Sequence, residues 1–144
     1  MIRCADEADI PQIGKILVSM HREAQMNLPP ISPRKVEASL RECMRDGVVF
    51  IGFHQGKLGG VMAVKRVCPW YSDLPFVADM VYYVSPESRK SNLGRGLLQA
   101  AQDYATIWGL SFASAVMSGV DVGRKDHFYT RNGMRRVGGL YWRD

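Results

Sequence analysis

The chain has 144 residues, 47% of them apolar, enough for one compact core and too few for a second domain of similar size. Its formal charge of +5 favours an anionic ligand or a solvated basic surface. Cys4, Cys43 and Cys68 are odd in number and scattered, and His21, His54 and His127 stand alone, which excludes a disulfide framework and a zinc site of ordinary spacing. No metal is expected.

A reducing, cytoplasmic setting follows from that cysteine usage. The charged start MIRCADEAD lacks the apolar core of a signal peptide, and no run is long enough to span a membrane. There is no repeat, linker or low-complexity tract, so residues 1–144 read as a single domain.

Residues 2–5 are predicted to form a short strand. Asp9 before Ile10-Pro11 starts a helix, with Ile10, Ile13, Leu17, Met20 and Ala24 at helical spacing. A loop over 27–31 leads to a second start at Ser32-Pro33, and Val36, Leu40 and Met44 stripe a helix that Gly47 ends. Two strand-like runs joined at Gln55-Gly56-Lys57 read as an antiparallel hairpin. After a loop with Pro69 and Pro75, residues 76–84 form a strand rich in aromatic and β-branched side chains. Leu97, Leu98, Ala101, Tyr104, Ala105 and Trp108 mark a helix closed near Gly109. A strand over 111–117, a short helix over 125–131 and a last strand over 136–142 complete the chain. The order β-α-α-β-β-β-α-β-α-β implies a mixed α/β protein, a twisted mixed sheet with helices on its faces.

The stretch VSPESRKSNLGRGLL carries the chemistry. A strand that runs through a loop into a helix presents unpaired N–H groups at the positive end of the helix dipole. Gly94 removes the Cβ that would keep a ligand off the backbone, Asn92 tolerates positive φ, and Arg89 and Lys90 add charge, so a diphosphate suits the corner. Neither the P-loop pattern nor GxGxxG is present.

Arg89-Lys90-Ser91-Asn92-Leu93-Gly94 resembles the R/Q-x-x-G-x-G/A loop of the GNAT N-acetyltransferase superfamily, with Asn92 where the first glycine is expected, a variation that resembles phage-encoded members. His127-Phe128-Tyr129-Thr130-Arg131-Asn132-Gly133-Met134 is similar to the family's F-Y-x-x-x-G-F segment, in the expected order and about 35 residues downstream. The resemblance implies a GNAT-like sheet of about six to seven strands flanked by about four helices. It implies acetyl-CoA as co-substrate, a primary amine of a small molecule or protein as acceptor, and direct transfer in a ternary complex.

By the same resemblance, Tyr83 and Val84 would offer backbone groups to pantetheine. Arg89, Lys90, Ser91, Asn92, Leu93, Gly94 and Arg95 would hold the diphosphate, and Phe128 would lie along the cofactor. Tyr129 matches the tyrosine that protonates the thiolate, and Asp79, on the strand before the loop, is the candidate base. Tyr82 and Tyr83 should face opposite sides of the sheet. Trp70, Tyr71 and Asp73 either line the acceptor side or simply cover the loop. Arg124, Lys125, Arg131, Arg135 and Arg136 make the late chain basic, for solubility or for CoA contact. Homodimerisation, common in that family, is an accompanying expectation. The competing reading is a non-catalytic module that binds CoA or a host protein; a nucleic-acid binder lacks any stacking motif among its basic residues.

Overall fold

The computed structural model describes all 144 residues. Strands β1 (Ile2–Cys4), β2 (Gly47–His54), β3 (Lys57–Val67), β4 (Phe76–Val84) and β5 (Phe112–Ala113) lie side by side in that order. The first four pair antiparallel, and β5 joins β4 in parallel. Helices α1 (Ile10–Glu23) and α2 (Pro33–Asp46) cover one face, and α3 (Leu93–Ile107) and α4 (Val122–Arg131) the other. This is the mixed α/β layering expected, with five strands instead of six to seven.

Because β3 is central and covered on both faces, its run Val61-Met62-Ala63-Val64 is apolar without alternation. Val61 and Ala63 enter the core under α1 and α2, while Met62 and Val64 enter the one under α3. The first core adds Ile13, Leu17, Leu40 and Val49, and the second adds Leu97, Leu98 and Ala101. The hairpin between β2 and β3 closes through Gln55 and Gly56, both at positive φ (53° and 77°), the two-residue turn whose twist matches the strands.

The helix ends follow local chemistry. Ser32 Oγ accepts from Lys35 N at 3.3 Å and caps α2, as expected. The cap expected at Asp9 falls three residues earlier, where the Asp6 side chain accepts from Ala8 N before a single 3-10 turn, Glu7–Asp9. Asp9 instead accepts from Asp6 N and holds both Arg3 nitrogens at 2.8 Å, tying the start of α1 to β1. Helix α3 begins at Leu93, one turn before the expected Leu97, because Gly94 and Gly96 do not interrupt it. It ends in a Schellman motif, with Gly109 N and Leu110 N donating to Thr106 O and Ala105 O. Gly133 ends α4 in the same way: Gly133 N donates to Thr130 O and Met134 N to Tyr129 O.

Two irregularities shape the site. Val64 faces Asp79 while Ala63 faces Val81, so Met80 is an extra, bulged residue. Val77 points into the α3 core; strict alternation would send Val81 and Tyr83 there too, but the bulge turns them toward α1 and α2. The second irregularity is that β5 pairs with β4 only at Val77–Phe112 and Ala78–Ala113. The strand expected over 111–117 is thus confined to two residues, since a strand persists only where a neighbouring backbone answers it. The last strand, expected over 136–142, does not form, and Val137 and Tyr141 are exposed. No helix is long and apolar enough to cross a membrane.

The Arg3–Asp9 contact yields a pH prediction. The Arg3 guanidinium, aided by Asp6 N–H, holds the Asp9 carboxyl down at about 2 from an ordinary 3.8. Its stabilisation is therefore complete above 3.8 and is lost as pH falls through about 2. In urea titrations, Asp9→Asn should be less stable than the parent at neutral pH, and the gap should close across that acid window.

Candidate active site

The fork between β4 and β5 is the focal point. Past Ala78 the edge of β4 has no strand beside it. Ser85 N donates to Gly59 O on the β3 side, so alternation aims the N–H groups of Val84 and Tyr82 at the open side and that of Tyr83 at β3. Of the two residues expected to offer backbone groups, Val84 is placed to do so; Tyr82 takes the other position. Neighbouring residues of a strand aim their N–H groups to opposite sides, so Tyr83 and Val84 cannot both face the fork, and the bulge at Met80 decides that Val84 does.

Tyr82 and Tyr83 face opposite sides, as expected. Tyr82 packs in the α3 core, its hydroxyl donating to Gly94 O at 2.5 Å, and burial pushes its phenol far above the ordinary range. Tyr83 lies in the other core and donates to Glu23 Oε1 at 2.6 Å.

The loop after β4 turns through a single 3-10 turn, Pro86–Ser88, and enters α3 at Leu93. Ser91 Oγ donates to Ser88 O at 2.6 Å and accepts from Leu93 N at 3.2 Å, which fixes the corner. The N–H groups of Lys90, Asn92, Gly94 and Arg95 donate to no group of the chain. They are a cluster of donors at the positive end of α3, the arrangement an anion requires. A Cβ at Gly94 would lie 3.4 Å from Tyr82 Oη and 3.5 Å from Val84 Cγ2, so the position is close-fitting but not strained. Asn92 has φ −80°: no positive φ is needed where the family motif carries its first glycine, and asparagine replaces it without backbone cost.

Within the same loop the side chains divide. Lys90 and Arg95 are exposed, whereas Leu93 is buried and serves the core, packing where Gly52 and Gly59 lack side chains. Arg89 turns toward the α1 face: Nε donates to Val84 O at 2.9 Å, Nη2 to Glu23 Oε2 at 2.5 Å, and the guanidinium lies 5.6 Å from the Tyr83 ring centre. Its charge is thus shared with Glu23, a partner 66 positions away that no local pattern announces. Lys125 stands near both, and its amine is pushed down by burial and by Arg89.

Deeper in the fork the two candidate catalytic residues come together. Ser114, the first residue after β5, donates to Asp79 Oδ2 at 2.7 Å and shares a 2.8 Å hydrogen bond with Tyr129 Oη. Burial pushes the Asp79 carboxyl up, against the hydrogen bonds from Ser114 and from Ala115 N–H, so part of its basicity at neutral pH comes from desolvation. Burial also pushes the Tyr129 phenol up to about 12, so it is protonated at neutral pH. Phe128 stacks edge-on against Tyr129 and tilts against Tyr82, with centroids 5.9 and 6.4 Å apart. Trp70 and Tyr71 pack edge-on against each other in the β3–β4 loop, largely exposed.

No protein-family model matches the chain, and no curated protein matches it. Solved structures match over its whole length. An acetyltransferase of Trypanosoma brucei superposes with a TM-score of 0.74 at 17% identity, covering 100% of this chain and 98% of that one. The chain adopts the GNAT acetyltransferase fold. A predicted acetyltransferase of Clostridium acetobutylicum, solved with acetyl-CoA, gives 0.73 at 16% identity over 100% and 95% of the two chains. AAC(6')-Iy, in complex with the bisubstrate analog CoA-S-monomethyl-acetylneamine, gives 0.72 at 16% identity over 100% and 97%. None of these is described as phage-encoded, and the expected likeness to phage members finds no support. In the GNAT fold of this chain, the open β4 edge and the start of α3 form one continuous wall.

The contact between Tyr82 and Gly94 joins the two parts of that wall. Tyr82→Phe should cost about 0.5–1.5 kcal/mol in urea denaturation, the ordinary worth of one internal hydrogen bond, without loss of helix by circular dichroism.

Proposed function

We propose that the protein is an N-acetyltransferase that moves an acetyl group from acetyl-CoA to a primary amine by direct transfer in a ternary complex. The observation that carries this reading is the Asp79–Ser114–Tyr129 cluster, set deep in a fork whose wall is the open β4 edge and the donor-rich start of α3. A base and an acid at adjoining positions are what acyl transfer from a thioester to an amine needs.

The donors fit acetyl-CoA as a substrate. The N–H groups of Lys90, Asn92, Gly94 and Arg95 would take the diphosphate, with exposed Lys90 and Arg95 adding charge. The outward N–H groups of Tyr82 and Val84 would hold the pantetheine arm as a strand holds its neighbour. Arg89 would support the loop from below by its bonds to Val84 O and Glu23.

Asp79 would take the proton of the attacking amine, and Tyr129 would donate to the departing sulfur. Cys43 is buried with its thiol pushed up to about 11, and Cys4 and Cys68 lie outside the fork, so no cysteine is set up as an acyl-carrying nucleophile. Two of the structural neighbours were solved with acetyl-CoA or with the bisubstrate analog CoA-S-monomethyl-acetylneamine, which supports an amine acceptor without choosing among amines.

Thiol release from acetyl-CoA, followed across spermine, sisomicin and a lysine-containing peptide, tests the reading. Turnover of at least one amine is expected, and Tyr129→Phe and Asp79→Asn should each lower kcat by about 10²–10⁴-fold. Because burial raises the Asp79 carboxyl, the acid limb of kcat/KM should lie above the ordinary aspartate value and vanish in Asp79→Asn. Release of thiol from no amine, with acetyl-CoA still bound, would favour a non-catalytic module.

A further inference from the structure

We infer that Ser114 is a positioning residue that makes the candidate base and acid one proton circuit, so that the proton removed from the amine is returned to the leaving sulfur through Asp79, Ser114 and Tyr129. This rests on the transferase reading above and specifies how its two ends are connected.

The register explains why Ser114 occupies this place. Phe112 and Ala113 pair with Val77 and Ala78, so the next residue of each strand, Ser114 and Asp79, meet where the strands part. Helix α4 brings Tyr129 to the same point, and the single hydroxyl spans the gap at 2.7 and 2.8 Å.

The chain of hydrogen bonds has a direction, and Asp79 sets it. A hydroxyl has one proton to donate. An ionised Asp79 can only accept, so Ser114 must donate to it and therefore accepts from Tyr129, whose proton then points into the protein. Once Asp79 has taken the amine proton it can donate to Ser114, Ser114 donates to Tyr129, and the Tyr129 proton is released toward the sulfur. Protonation of the base thus arms the acid.

The step balances. The C–N bond forms, the C–S bond breaks, and the amine loses one proton to Asp79. Each proton of the circuit then moves one place: from Asp79 to Ser114, from Ser114 to Tyr129, and from Tyr129 to the thiolate. Asp79 is again ionised, both hydroxyls are restored, and the net change is the loss of one N–H and the gain of one S–H. No oxidant, reductant or further reactant is needed. The groups that act on Asp79 are Ser114, the Ala115 N–H, its own backbone N–H and Tyr129; no charged side chain is among them.

The test uses Ser114→Ala and Ser114→Thr, alone and combined with Tyr129→Phe, on the amine among spermine, sisomicin and the lysine peptide that gives the fastest thiol release. Ser114→Ala should lower kcat by about 10²-fold while leaving the KM for acetyl-CoA unchanged. Its acid limb should move to higher pH, because the carboxylate loses a donor. Ser114→Thr, which keeps the hydroxyl, should restore most of kcat. In the Ser114→Ala background, Tyr129→Phe should cost about twofold or less, since the acid is already disconnected. Unchanged kcat in Ser114→Ala, equal loss in both Ser114 variants, or an undiminished effect of Tyr129→Phe would overturn the circuit while leaving the transferase intact. A parent that releases no thiol with any of the three amines would instead overturn the transferase reading and the circuit with it.

Discussion

The divergence of β4 from β5 is the constraint on which the rest of this structure depends. Two residue pairs hold the strands together, and beyond them β4 keeps a free edge that an ordinary sheet would have buried. An unpaired edge inside a fold costs hydrogen bonds unless something answers it. In this protein the edge continues into a helix whose first turn also lacks partners, so unpaired backbone donors follow one another along the chain from the fork to α3. The aromatic cluster of Tyr82, Phe128 and Tyr129 packs beside it and fixes how α4 sits on β4.

The bulge at Met80 has a similar reach. One inserted residue puts Tyr83 with Glu23 and Arg89 on one face and Tyr82 with Gly94 on the other, so each tyrosine anchors a different side of the same loop. The loop is thus held from both cores, which leaves its backbone free to serve as a rigid set of donors. Rigidity matters because donors already in place need no ordering when an anion arrives.

Much of this was legible in the sequence, for local reasons. Ser32-Pro33 announces α2, Gln55-Gly56 announces the hairpin, and Gly109 and Gly133 end α3 and α4 because each supplies the left-handed backbone of a Schellman motif. Gly94 and Tyr129 could be singled out by motif and by spacing. What the sequence did not reveal depends on distant partners. The strand-like residues 136–142 have suitable side chains but no strand edge that pairs with them, and β5 stops after two residues because β4 leaves it. Glu23 and Ser114 carry no local signal: one is an acid at the end of a helix, the other a serine in a strand-like run. Their contacts with Arg89 and Asp79 emerge only when elements far apart in the chain are packed together.

The central claim is that the start of α3 and the open β4 edge form a site for acetyl-CoA, and a thermal-shift titration tests it most directly. At a hundredfold excess over Kd, binding should add about 2.7 kcal/mol of stability, roughly 5–10 °C in Tm for a chain of this length. Gly94→Glu, at a position where an added Cβ meets only ordinary contacts, should fold and lose that shift because its carboxylate would stand among the donors. No shift in the parent, or an equal shift in the folded variant, would contradict the account.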